Sequence, residues 1–336
     1  MQGACVEFRK KINAKALQSV EQIKLMLNIQ ENIILAPYTS FKIGGPAKYF
    51  VEAQNKDEIS EAIKYAAEKK LPYFILGGGS NILVSDKGFD GLAIRIKADK
   101  ISVDEKQKLI EIDSGASLAG LVKQAAEAGL SGMEWAAGIP GTLGGAVRGN
   151  ARAFGDDMAS VTESVEFLDV SHMQIKNFKK EQCEFNYWGS IFKKDPNLIV
   201  LSAKIKLQSG KKEEIAQKNR EIINKRINAQ PQGSPSAGSF FLNPIVADEK
   251  LRKEFEQEKG IKCIDDKIPA GWLIDQIGFR GKKVGGAMIS EKHGNFLVNA
   301  GGATAEDIIM LSSIIKQKIR QKFNIQLESE VKLVGF

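Results

Sequence analysis

The sequence predicts a mixed α+β protein of more than one domain, and three observations carry that expectation. Short apolar runs alternate with amphipathic helical stretches from residue 49 onward. A length of 336 residues exceeds what one hydrophobic core normally fills. The Pro/Gly/Ser segment "PQGSPSAGS", residues 231–239, interrupts the periodic pattern and is the strongest boundary signal in the chain.

Taken in order, residues 1–28 read as a leading helix with a basic arm. "YFVEA" (49–53), a helix over 56–70 and the strand "YFILGG" (73–78) form a β-α-β rhythm. The helix puts Ile59, Ala62, Ile63, Ala66 and Ala67 on one stripe, and Leu71-Pro72 stops it. Strands at "GLAIRI" (91–96) and "LIEIDSG" (109–115) precede a second helix over 117–129, whose stripe is Leu118, Leu121, Val122 and Ala125. Gly129 marks its end. Strands "SVEFLDV" and "LIVLSAKIKL" and a charged helix over 212–230 follow. Beyond 240 lies another mixed unit, closing with a helix that opens on the capping box "TAED" (304–307) and a terminal strand within "IQLESEVKLVGF".

Composition narrows the function. There are 48 Lys and Arg against 41 Asp and Glu, a net charge of +7 spread along the chain. Basic residues do not gather with stacking aromatics, which argues against a nucleic-acid interface and leaves a general attraction for anionic small molecules. No run approaches the roughly 20 apolar residues of a membrane span. Three separated cysteines (Cys5, Cys183, Cys263) without a CxxC motif argue for a reducing cytoplasm and against a zinc site.

The chemistry-bearing stretches are dominated by glycine. "GIPGTLGGAVRGNARAFG" (138–155) holds six glycines and two arginines. Glycine costs roughly 0.5–1 kcal/mol against alanine in an ordered element, so such density marks either a long surface loop or a cradle of bare N–H groups facing a ligand. "LGGGSN" (76–81), "FKIGGPA" (41–47) and "VGGAMISEKHGNF" (284–296) add three more glycine turns beside polar side chains. Neither GxGxxG nor GxxxxGK[ST] occurs. In "PSAGSFFLNP" (235–244), Ser239 is expected on a tight turn above an apolar floor. The absence of GxSxG and the presence of only two histidines argue against a hydrolase nucleophile and leave a proton donor.

In this order "YTSFKIGGPA", "LGGGSN", "GMEWAAGIPGTLGGAV", "SAGSFFLNP", "PAGWLIDQIGFRGKKVGGAMISEKHGNFLVN" and "LESEVKLVGF" resemble the UDP-N-acetylenolpyruvoylglucosamine reductase family, over residues 38–336. The stretch 190–230 looks compact, as in members without the extra tyrosine loop. The resemblance implies an FAD-binding fold of the vanillyl-alcohol-oxidase type, two α+β subdomains, plus an α+β substrate domain. The divisions expected are 1–28, 29–98, 99–215, 216–325 and a returning strand at 326–336. It implies NADPH and FAD as cofactors and a UDP-sugar enolpyruvyl ether as substrate, for peptidoglycan synthesis. The expected setting is a cytoplasmic monomer with no metal, nucleic-acid or membrane partner.

By motif position the resemblance assigns FAD contacts to Lys42, Gly77, Gly78, Gly79, Ser80, Asn81, Gly138, Ile139, Pro140, Gly141, Gly144, Gly145, Arg148 and Gly285. It makes Ser239 the proton donor and Glu330 its acidic partner, with Tyr187, Arg226, Asn243, Lys292 and His293 toward the substrate. The family places an arginine after the tyrosine of its Y-R-x-S segment. Here Tyr187 is followed by Trp188, and Arg152 stands where the family usually has a small residue; Arg148 or Arg152, both on the implied flavin wall, is the candidate substitute cation. That departure keeps open a flavoprotein of the same fold with an altered substrate or impaired turnover. A cofactor-free basic binding protein is the reading from another class.

Overall fold

A computed structural model of the chain describes residues 20–187 and 189–336. Residues 20–26 are helical, as expected for a leading helix. The rest of the N-terminal arm and Trp188 lie outside the described residues.

The fold divides into two compact units. The first runs to Ile33 and takes in Ala47–Gly78 and Asp90–Ile223. The second is built from Ile34–Pro46, Gly79–Phe89 and Asn224–Phe336.

In the first unit a four-stranded sheet has the order Gln30–Ile34, Pro46–Ala53, Phe89–Ile96, Tyr73–Leu76, the last two running parallel. The helix Lys56–Glu68 belongs with it. Asn55 starts that helix, its side-chain oxygen accepting from the Glu58 N–H at 2.9 Å, while the Glu58 carboxylate accepts from the Gln54 N–H at 2.7 Å. Ile59, Ala62, Ile63 and Ala66 share one core with Val51, Leu92 and Ile94. Ala67, placed on this stripe by spacing, is exposed. Tyr65 is buried instead, edge-on to Tyr49 with ring centroids 5.9 Å apart. The helix also ends at Glu68, before Leu71-Pro72, with Lys70 in a left-handed conformation.

The second sheet of this unit is wholly antiparallel, in the order Gln174–Lys179, Thr162–Asp169, Leu198–Lys206, Leu109–Asp113, Ile101–Asp104. The helix Leu118–Glu127 is capped by Ser117, which accepts from the Gly120 N–H at 3.0 Å. Gly129, at φ +68°, follows its end as expected. Its four stripe residues are buried with Ile110, Ile112, Val165 and Ile205.

The second unit has an antiparallel sheet ordered Ser236–Ser239, Phe296–Asn299, Ala287–Ile289, Lys283–Val284. The helix Ala305–Phe323 buries Ile308, Leu311, Ile315 and Ile319 in a core shared with Leu297 and Ile289. Its capping box is present, Thr304 accepting from the Asp307 N–H at 3.0 Å and Asp307 from the Thr304 N–H at 3.0 Å. The expected terminal strand is shorter than "IQLESEVKLVGF". Only Lys332–Val334 forms a strand, parallel to Ile82–Val84, with a single bridge upstream between Ser329 and Phe241.

Candidate active site

Two glycine segments meet in the first unit. The strand Tyr73–Leu76 delivers Gly77 and Gly78 against the 138–142 segment. A Cβ on Gly78 would lie 2.8 Å from the Gly141 Cα, and one on Gly77 would lie 2.6 Å from the Thr142 hydroxyl. Glycine at these positions lets two backbones touch. Gly138 and Gly141 take φ of +79° and +116°, carrying the chain around Ile139 and Pro140.

Beyond Gly141 the chain is neither a long loop nor a bare cradle but a helix, Leu143–Gly149, capped by Thr142. Its buried face, Leu143, Ala146 and Val147, outweighs the poor helix propensity of three glycines. Gly144 is required internally, since a Cβ there would lie 2.8 Å from that of Ser114. Gly145 and Gly149 are different. The nearest atom to a Cβ on Gly145 would be the Thr142 hydroxyl at 3.8 Å, and around Gly149 nothing lies within 4 Å. The fold does not need glycine at either place.

The preceding turn Glu134–Ala136 is fully buried. The Glu134 carboxylate accepts from the Ser131 hydroxyl and the Gly132 N–H, both at 2.7 Å. Burial pushes this carboxyl's pKa up, but those hydrogen bonds together outweigh burial and hold it below its ordinary value.

Arg148 lies on the same short helix, and burial alone pulls its guanidinium pKa down. No carboxylate among the described residues pairs with it. Arg152 sits in a hairpin whose strands are Arg152–Ala153 and Asp156–Asp157, and its exposed guanidinium stacks 4.2 Å from the Tyr187 ring centroid. Trp188, beside that tyrosine in sequence, is outside the described residues.

In the second unit Ser239 ends the strand Ser236–Ser239, with Gly238 at φ +75° inside an irregular register. The tight turn expected at Ser239 is thus a kink one residue earlier. The expected apolar floor is present, since Phe240 and Phe241 are each 1% exposed. The chain continues along the C-terminal segment, where the Glu330 N–H donates to the Phe240 carbonyl at 2.9 Å and the Leu242 N–H to that of Glu328 at 3.0 Å. The backbone of Phe240, the residue after Ser239, is thereby held against that of Glu330.

Asn81 joins the same edge. Its side chain donates to the Glu330 carbonyl at 3.5 Å, and its own carbonyl accepts from the Lys332 N–H at 3.1 Å. Gly79, at φ +62°, abuts the Tyr38 carbonyl, and Ser80 is half-buried between them. Asn243 accepts from the Ala270 N–H at 3.0 Å, at the start of the helix Ala270–Gln276. Lys292 is exposed and donates to the Ile227 carbonyl at 2.6 Å, near half-buried Arg226, whose guanidinium pKa burial also pulls down.

His293 packs on Phe296 and accepts from the Asn295 N–H at 3.2 Å. Burial, partly countered by the Asp275 charge, holds its imidazole pKa below the ordinary value. Lys42, at φ +57°, donates to the Pro37 carbonyl at 3.0 Å. Gly285 lies against the Asp307 carboxylate.

One residue that spacing did not single out is Asn295. It is 3% exposed, and its side chain accepts from the Phe241 N–H at 2.9 Å and donates to the Phe241 carbonyl at 2.8 Å. Only its place in "KHGNFLVN" hinted at it.

Residues 47–172 match the family described as FAD binding domain, and residues 230–334 match UDP-N-acetylenolpyruvoylglucosamine reductase, C-terminal domain. The chain is therefore a flavoprotein whose FAD-binding module is joined to a dedicated C-terminal domain. It is 36% identical to a UDP-N-acetylenolpyruvoylglucosamine reductase of Prochlorococcus marinus (strain NATL2A), covering 92% of this chain and 99% of that one. Identity to the enzyme of that name from Carboxydothermus hydrogenoformans is 38%, over 91% and 94% of the two chains. A crystal structure of UDP-N-acetylenolpyruvylglucosamine reductase from Thermus caldophilus is similar at a TM-score of 0.72 and 33% identity, covering 91% of this chain and 99% of that one. The chain belongs to the UDP-N-acetylenolpyruvoylglucosamine reductase family.

Proposed function

We propose that this protein reduces UDP-N-acetylenolpyruvoylglucosamine to UDP-N-acetylmuramate, with NADPH as reductant and FAD as the bound cofactor, in peptidoglycan precursor synthesis. The observations that carry the proposal are the backbone pairing that sets Glu330 beside Phe240, the residue after Ser239, and the match of the chain to an FAD-binding domain and the family's C-terminal domain.

FAD fits the first unit's glycine helix, because Gly145 and Gly149 leave open space that the fold has no use for. Arg148 supplies a cation beside it that has no carboxylate partner among the described residues. Gly77, Gly78, Gly138, Ile139, Pro140 and Gly141 form the adjoining backbone wall. When bound, FAD supplies the two-electron relay between NADPH and the enolpyruvyl double bond.

The chain's own side chains handle charge and proton. Reduction at C3 of the enolpyruvyl group leaves negative charge at C2, next to a carboxylate, and fixed donors stabilise that charge as it develops. Ser239 gives its hydroxyl proton to C2, which works because that carbon is far more basic than an alkoxide. Glu330 serves as its acidic neighbour. Arg152, held over Tyr187, supplies the cation for the substrate carboxylate where the family arginine is replaced by Trp188. Asn243, Arg226, Lys292 and His293 contribute to substrate binding. The setting proposed is a cytoplasmic monomer acting on small molecules; among the described residues no helix is long and apolar enough to cross a membrane.

The test is spectroscopic. The protein loaded with FAD should absorb near about 450 nm, lose that band anaerobically with NADPH, and regain it only on addition of the enolpyruvyl sugar nucleotide. A protein that cannot be loaded with FAD, or whose band returns without the sugar nucleotide, contradicts the proposal.

A further inference from the structure

Asn150 is 2% exposed and sits at the left-handed C-cap of the glycine helix, at φ +45° and ψ +57°. Every hydrogen-bonding capacity of its amide but one acceptor lone pair is used. Nδ2 donates to the Asn186 carbonyl at 2.9 Å and to the Asp157 carboxylate at 3.2 Å, while Oδ1 accepts from the Ala159 N–H at 2.9 Å. One side chain thus ties three segments: the end of the helix that carries Arg148, the base of the hairpin that carries Arg152, and the segment that carries Tyr187.

The third tie acts on a closed turn. Asn186 and Gly189 exchange backbone hydrogen bonds at 2.9 and 3.4 Å, and the turn they close holds Tyr187. Its far end is held by Ser190, whose hydroxyl donates to the Arg148 carbonyl at 3.0 Å. The Asn150 and Ser190 side chains therefore span the turn at both ends and fasten it to the glycine helix. The Arg152 guanidinium rests on the Tyr187 ring, so the position of that cation depends on the turn beneath it.

We propose that Asn150 is a positioning residue for the Arg152–Tyr187 pair: through the Asn186 carbonyl it sets the turn under the guanidinium, and so governs capture of the substrate's anionic group and not FAD binding. This rests on the reading of Arg152 and Tyr187 as substrate-facing. Misplacement of a binding group by about 1 Å costs up to about a hundredfold in rate, so loss of this tie is expected to weaken the substrate half-reaction about ten- to a hundredfold. Reduction by NADPH and FAD affinity stay within about threefold.

The experiment uses the chemistry of the three ties to separate stability from positioning. Asn150→Asp keeps the acceptor for Ala159 but sets an oxygen against the Asp157 carboxylate and the Asn186 carbonyl. The double variant Asn150→Asp with Asp157→Asn restores a donor between positions 150 and 157 but not the one from position 150 to the Asn186 carbonyl. Melting temperature, FAD affinity, the rate of flavin reduction by NADPH and the concentration dependence of flavin reoxidation by the enolpyruvyl substrate are measured for both. The proposal expects the exchange to recover melting temperature while substrate capture stays impaired, and Ser190→Ala to show the same substrate defect in milder form. Full recovery of substrate capture in the exchanged protein would overturn it, leaving Asn150 as a stabiliser of the hairpin base. Should Asn150→Asp fail to fold, Ser190→Ala decides alone, wild-type substrate capture counting against the proposal. Arg152→Ala is measured alongside. If that variant captures substrate normally, the underlying reading of the pair falls. If it is impaired while the exchanged protein is not, the positioning proposal alone falls.

Discussion

At the scale of single residues, glycines with the same identity do opposite work. Gly78 exists because another backbone touches it, whereas Gly145 sits in a helix with room for a side chain. Gly78→Ala is therefore expected to destabilise the protein by about 1–3 kcal/mol through overpacking. Gly145→Ala should stabilise the cofactor-free protein by up to about 1 kcal/mol through helix propensity, while weakening FAD binding. Thermal melting with and without FAD checks both, and a Gly145→Ala protein that binds FAD as tightly as wild type would remove the ligand as the reason for that glycine. Ser239→Ala should leave flavin reduction by NADPH intact and slow reoxidation by substrate about 10²–10⁴-fold, as stopped-flow traces of each half-reaction would show. Equal slowing of both would make Ser239 structural. Glycine density and the "SAGSFF" segment were legible in the sequence because backbone approach demands a rare composition. Asn150 and Asn295 were not, because a buried asparagine held by two or three side-chain hydrogen bonds looks, in sequence, like any turn asparagine.

Elements differ in how openly they announce themselves. The helices Lys56–Glu68, Leu118–Glu127 and Ala305–Phe323 were readable from apolar stripes and capping residues, to within two residues at their ends. Among the strands missed are Gln30–Ile34, Ile101–Asp104 and Gln174–Lys179. Each is an edge strand with mostly exposed or half-buried side chains, so no apolar run marks it. The helix Leu143–Gly149 was hidden for the converse reason, since three glycines mask an element that burial of Leu143, Ala146 and Val147 sustains. The turn in front of it depends on Glu134. Its pKa is lowered in the folded protein, so its stabilisation is complete above the ordinary carboxylate range and is lost as pH falls through the lowered value. Glu134→Gln should cost about 1.5–3 kcal/mol near neutral pH and flatten the acid limb of a stability–pH curve. An unchanged acid limb would show that Glu134 does not anchor the turn.

For the molecule as a whole, the α+β class and the family were legible because long motifs recur in a fixed order from residue 38 to the C-terminus. The interleaving of the two units was not. Ile34–Pro46 and Gly79–Phe89 belong with the C-terminal half, and the first glycine run changes unit between Gly78 and Gly79. Nothing local marks those crossings: Phe41, Ile43 and Leu83 look like any core residues, and only the long-range partners in their shared core reveal where they belong. The central claim is that this chain adds two hydrogens across the enolpyruvyl double bond. The most direct measurement is anaerobic turnover of purified, FAD-loaded protein with NADPH and UDP-N-acetylenolpyruvoylglucosamine in heavy water, with mass analysis of the sugar nucleotide. One product should form per NADPH consumed, saturated at the former double bond and carrying solvent deuterium at C2. NADPH consumption that is indifferent to the sugar nucleotide, or recovery of that nucleotide unreduced, would contradict the claim.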